Sequence, residues 1–410
     1  MAGSSITFRE IEGKGGFYAL LAACGAVLLL SAYAYFQMEH HGHVITGMDN
    51  QMVWGMPHVL ALFLIVAASG ALNVASTASV FGKSIYKPLA PLSALLALAL
   101  MIGGVTVLML DLGRSDRMII AATHFNFKSV FALNVFLYTG FFTIVGAYLW
   151  FMLERRMNCW TKPAGVAAFI WRLTLTTGTG SVFGFLVARE AYQSALLAPL
   201  FIVLSFAYGT ALFLLTLGAA SALARRPLGD AVLRRPKNLL ATFVAGALYL
   251  VVVFHLTNLY FTRNHGVEQF VLLDGGIITG VFWIGQILIG SVLPLLLLLA
   301  PGATLGRILT ACVAIVIGGL AQMYVTIIGG QAWPLDLFPG YVAKSSFFDG
   351  EIHHYAPSLV ETLLGLGGFA IAAVIVIIAL KVLRLLPEKL DNAPEEIPLG
   401  EATLDPHHSK

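Results

Sequence analysis

Apolar residues in this chain come in long runs separated by short polar segments. A helix needs about twenty residues to cross a bilayer. Runs of that length fall at about 16–36, 54–80, 89–112, 129–152, 164–188, 195–220, 239–262, 276–300, 307–330 and 358–384. The pattern predicts an all-α integral membrane protein of about ten transmembrane helices. Two runs echo one another: LALFLIVAASGAL (60–72) and APLFIVLSFAYGTAL (198–212), apart from a one-residue slip. A parallel repeat of four helices would give two four-helix bundles, about 54–188 and about 195–330, flanked by helices at about 16–36 and 358–384. A single transmembrane domain is therefore expected over 1–386, followed by a polar, mobile cytoplasmic tail over 387–410. The segment 331–358, rich in aromatics, Pro and Gly, is expected to lie on the membrane interface.

Composition agrees. The 410 residues are 58% hydrophobic and 11% charged, with a mean hydropathy of +0.85, whereas a soluble domain carries roughly a quarter charged residues. The net charge of +3 is scattered between the apolar runs, which argues against nucleic-acid binding and for topology signals. Sorted by loop parity, the basic residues favour the side of the N-terminus about three to one. The opposite side holds only Arg114, Arg117, Lys128, Arg189, Arg263 and Lys344. Both termini are thus expected in the cytoplasm. The first run is long for a signal peptide and reads as an uncleaved helix.

Chemistry is sparse. The three cysteines, Cys24, Cys159 and Cys312, are far apart, with no C-x-x-C or C-x-x-C-H. The spacing excludes a four-cysteine iron–sulfur cluster or a c-type haem of ordinary pattern. The first polar loop holds Glu39, His40, His41 and His43, with His58 just beyond. Adjacent histidines point apart, and zinc-type spacing is missing, so the loop reads as mostly solvated and His58 as the member to keep. A bis-histidine haem would need His58 and His255 to face one another.

Charges inside a span cost roughly 2.5–3.5 kcal/mol on insertion scales, so each asks for a reason. They gather at the outer helix ends: His58 after Trp54; Asp111, Arg114, Asp116 and Arg117 in LDLGRSDR; His124 and Asn126 in THFNFKS; His255 and Asn258; Tyr355 and Glu361. A shallow pocket with a His, a carboxylate, an Arg and an Asn suits a quinone, whose carbonyls need donors and whose redox steps move protons. Asp111 and Arg114, at i and i+3, equally suit a structural ion pair. Arg172, beside LTLTTGTGS, either lines a proton path, snorkels, or pairs with carbonyls.

These residues resemble the NrfD/PsrC membrane subunits of respiratory oxidoreductases. The resemblance rests on 52–73, 111–117 with 124–129, 177–212, 337–340 and 355–361. The length and last motif are similar to the longer branch, which includes HybB and DsrP, and most of all to the DsrP type of sulfur-metabolism complexes. It implies two four-helix bundles, a menaquinone or ubiquinone site near the outer face, and no metal or haem in the subunit itself. A periplasmic ferredoxin-like iron–sulfur subunit is the implied partner, with a multihaem cytochrome c and further membrane or cytoplasmic subunits beside it. The implied setting is a bacterial inner membrane, and the chain would be a subunit of a quinone-dependent complex rather than an enzyme alone. His58, Asp111, Arg114 and Asn126, with Trp54 and His124 beside them, fall in the implied quinone region. Arg172 and Glu361 are the candidates for proton translocation. The family's short branch often has Pro where this chain has Ser115. A secondary transporter, with the Gly/Thr-rich stretch as a broken helix, and a non-redox membrane scaffold are the alternative readings.

Overall fold

The computed structural model describes residues 8–124, 126–226, 228–302, 304–335 and 350–387. Ten long helices make up most of it. They are α1 (Gly15–His41), α2 (Met56–Ser79), α3 (Ser84–Leu110), α4 (Val130–Leu153), α5 (Thr161–Gly184), α6 (Leu197–Ala224), α7 (Asp230–Tyr260), α8 (Ile277–Leu299), α9 (Leu305–Ala332) and α10 (Leu359–Val382). Nine helices among the described residues are long and apolar enough to span a membrane; α5, which carries Lys162, Arg172 and many threonines, is not one of these.

The two ends of the described chain meet. Phe8 pairs with Pro387 and Arg9 with Leu386 in a two-residue antiparallel clasp (β1, Phe8–Arg9; β2, Leu386–Pro387), and Ile11 N donates to Leu380 O. Both ends therefore lie at one face, and the number of crossings must be even. Beside the nine apolar helices among the described residues, α5 runs between the same two faces. The clasp face also carries most of the basic loops, and Arg226 donates to the backbone oxygens of Arg9, Glu10, Leu386 and Pro387. We call it the basic face; the other, holding the loops after α1, α3, α5, α7 and α9, is the histidine face.

Helices α2 to α5 pack around one another, as do α6 to α9, and α2 joins the two groups by lying against both α6 and α9. The α2–α6 crossing is backbone on backbone. A Cβ on Gly70 would fall 1.6 Å from Ser205 O, and one on Gly209 would fall 2.0 Å from Gly70 C. No side chain fits there, as expected where membrane helices associate through small residues. The two echoing sequence runs meet at this crossing. Helix α10 covers α2 and α3, and α1 packs on α10. In the second group, α8 widens to a π-helix over Val281–Val292 and α9 over Val325–Gly329. Most of the aromatic segment expected on the interface, with its 337–340 motif, and the polar tail beyond 387 lie outside the described residues.

Candidate functional site: an acid–histidine cluster on the histidine face

Three elements bring one carboxylate and two imidazoles together. Asp111 caps the C-terminus of α3. Two residues on, Gly113 takes φ +67°, and a Cβ there would stand 3.1 Å from His43 Cε1. Glycine therefore both makes the turn and leaves room for His43. Pro57, in the first turn of α2, opens the helix that carries His58.

His58 Nδ1 lies 2.8 Å from Asp111 Oδ2. His43 Nε2 lies 3.6 Å from Asp111 Oδ1 and donates to the Asp111 backbone oxygen at 3.0 Å. The Asp111 side chain is sealed (0% exposed), whereas His43 and His58 keep 34% and 22% of theirs exposed. The His58 contact is close but badly angled. Neither Asp111 oxygen, nor His58 Nδ1, makes an aligned hydrogen bond among the described residues. Burial pushes the Asp111 carboxyl up, but the two histidines more than reverse this and hold it below the usual carboxylate range. In return, the Asp111 carboxylate raises the His43 imidazole, against the opposing effect of burial.

The half-buried Trp54 ring walls the cluster, 6.4 Å from His58 and packed among Phe131, Phe183 and Tyr192. Its backbone is pinned by Gln331, which accepts from Trp54 N at 3.0 Å and donates to Trp54 O at 2.8 Å. Arg189 ties the same loop down by donating to Gln51 O and Gln331 O. The other predicted residues fall elsewhere on this face or within the bundle. Arg114 is exposed on the turn after Asp111. His124 and Asn126 are exposed and bond locally, to Thr123 Oγ1 and Lys128 N. Glu361 is fully buried: Oε1 accepts from Gly47 N and closes the capping box of α10 with Ser358, while Oε2 has no partner among the described residues. Arg172 is buried in α5 and donates to Ser69 O (3.1 Å) and Asn73 Oδ1 (2.6 Å), so it pairs with a carbonyl.

His58 and His255 do not face one another. His255 Nδ1 contacts Glu268 Oε2 at 2.7 Å, and Asn258 donates to Glu268 Oε1 at 2.8 Å. Sequence reasoning missed His43 and Glu268; the only signal for His43 was the histidine-rich loop itself. Among the described residues no group of three or more His, Cys, Asp or Glu is arranged to hold a metal ion. A cavity of about 650 Å³ lies not here but at the basic face.

The fold and this cluster define a polytopic helical membrane protein with a buried acid–histidine group at one rim. The chain belongs to the NrfD family: residues 44–334 match the family described as "Polysulphide reductase, NrfD". It is 31% identical over 399 residues to the Hdr-like menaquinol oxidoreductase integral membrane subunit of Archaeoglobus fulgidus, covering 96% of this chain and 99% of that one. It is 27% identical to a putative dimethyl sulfoxide reductase membrane subunit of Halobacterium salinarum (91% and 92% covered). It is 21% identical to a selenate reductase subunit of Mesobacillus selenatarsenatis (87% and 91% covered).

Proposed function

We propose that the protein is the quinone-reactive membrane subunit of a respiratory or sulfur-metabolism oxidoreductase complex. It exchanges electrons between a membrane menaquinone or ubiquinone pool and a partner subunit, an iron–sulfur protein docked on the histidine face. The observation that carries this reading is Asp111: a sealed carboxylate kept in its charged form, between two partly exposed imidazoles, with its acceptor capacity unspent. The relatives' names support it, since one is a menaquinol oxidoreductase subunit and two are reductase subunits.

The orphaned atoms fit a ligand that offers hydroxyl donors or carbonyl acceptors. His58 and Asp111 would hold such a head group, with Trp54 as an apolar wall. When bound, a quinol supplies two electrons and two protons, and a quinone takes up the same. Asp111 Oδ2 accepts a hydrogen bond or proton from the site, with His58 Nδ1 2.8 Å away. His43, in contact with the same carboxylate and partly exposed, passes a proton between Asp111 and water. The excess of basic residues on the clasp face argues that this face is cytoplasmic and that the cluster lies outside a cytoplasmic membrane. Arg172 and Glu361 are the groups proposed for a transmembrane proton path, but the exchange described here needs neither. The Gly/Thr-rich stretch of α5 runs as unbroken helix, which removes the feature that pointed to a transporter.

Quinol turnover by the isolated complex tests the reading. His58→Ala is expected to lower it at least tenfold while the complex still assembles. Turnover within twofold of the parent would leave the protein a scaffold.

A further inference from the structure

We propose that the basic-face cavity is a binding site for the phosphate head group of an anionic phospholipid. The cavity, about 650 Å³, lies where α2, α5, α6 and α7 meet beside the loop between α2 and α3. Lys83, Arg172 and Arg235 line it, with Asn73 and Asn238 as neutral polar groups; no carboxylate is among its described lining residues. Three cations around one cavity form an anion trap, and the arginines add directional donors that match phosphate oxygens.

The independent sign of a ligand is Arg172. It is 2% exposed, and no carboxylate pairs with it among the described residues. Its guanidinium lies over the rings of Phe169 and Phe206, at 5.0 and 5.2 Å. Nη1 takes two neutral acceptors, and Nε is buried without a partner among the described residues. A cation this far inside a span is costly unless something compensates it. A phosphate at the cavity would supply the missing negative charge and accept from the guanidinium or its cationic neighbours.

The shape favours a lipid over a free anion. The remaining walls are largely aromatic and aliphatic, and the α7 flank, with Leu239 and Thr242, is exposed along a membrane-spanning helix. Such a flank faces hydrocarbon, so an acyl chain can enter from the side while the phosphate sits among the cations. The volume lies within the roughly 300–1,000 Å³ of ordinary ligand pockets, room for a head group and the first carbons of its chains. Basic pockets between helices are a recurrent mode of anionic-lipid recognition.

The test uses the full chain, delipidated in detergent, and reads lipid retention by native mass spectrometry together with thermal unfolding. Phosphatidylglycerol is expected to be retained and to raise the melting temperature, whereas phosphatidylcholine and inorganic phosphate do neither. Arg172→Gln is a poor probe because Arg172 also braces α5 against α2. The exposed pair Lys83→Gln/Arg235→Gln is expected to weaken phosphatidylglycerol binding at least tenfold. The control pair Arg155→Gln/Arg156→Gln, equal in charge and exposed on the same face, is expected to leave it unchanged. Equal retention of both lipids, an equal shift from inorganic phosphate alone, equal weakening by both variant pairs, or no retained lipid would each overturn the proposal.

Discussion

Each helix group carries a buried carboxylate in contact with histidine near the histidine face, and the two are built differently. Glu268 spends both oxygens: one on His255 Nδ1, the other on Asn258, whose own oxygen accepts from Asn264. His255 is closed in by Phe282 at 4.8 Å and keeps only 14% of its side chain exposed. Asp111 is as well sealed as Glu268, yet its oxygens make no aligned bond and its two histidines remain open to the outside. Residue types are nearly the same in both places; spare hydrogen-bonding capacity is not. A satisfied buried pair is a brace, while an unsatisfied one beside exposed imidazoles is poised to act on something else.

Substitutions at the two carboxylates test that contrast. Asp111→Asn keeps the shape but removes the proton acceptor. Because general acid–base groups contribute about 10²–10⁴-fold, quinol turnover should fall by roughly 100-fold or more, with little change in melting temperature. A full-speed Asn variant would mean that the two pairs do the same job. In the second group the expectation reverses. His255→Ala leaves the buried Glu268 Oε2 without its partner, at a cost of about 1–3 kcal/mol. It should lower the melting temperature sharply while turnover per folded molecule stays within about twofold.

The smallest effect is a pH dependence. His43 has a raised pKa in the folded protein, so its contact with Asp111 stabilises fully below its unfolded value, about 6.5, and is lost as pH rises through the higher folded value. The Asp111 carboxyl is lowered, so its share is present above about 4 and is lost as pH falls through the lower folded value. The melting difference between the parent and His43→Gln should therefore be largest between about pH 4 and 6.5 and shrink on the alkaline side. A difference that stays flat from pH 5 to 9 would show that His43 acts by packing alone.

Helix number and placement were legible because crossing a bilayer imposes a length on every apolar run. The span α5 was read from its run at 164–188, yet among the ten described long helices it alone falls short of the apolarity of a spanning helix. His58 and Asp111 could be picked out because both sit at helix ends where polar groups are costly. His43 could not. It reaches Asp111 across 68 residues of sequence from a loop whose composition reads as wet, and only the turn at Gly113 closes the gap. Pairing of Arg172 with a carbonyl was among the readings of that residue. Its place at a cavity depends on how α5, α6 and α7 splay, and no local pattern records that. The π-helical stretches of α8 and α9 likewise have no signature in the periodicity of their apolar runs.

The packing of α1 bears on how the chain is made. Its extensive contacts are with α10, and only 17% of its apolar stretch is buried. Yet α10 is synthesised only after the eight helices between them. At about 5–20 residues per second, α1 waits on the order of half a minute in the membrane before its partner emerges. The small residues that seat it, such as Gly367 against Ser31, then act late. Docking of α1 therefore waits for α10, and a chain stopped before Leu359 would carry α1 loose in the lipid, a ready mark for quality control.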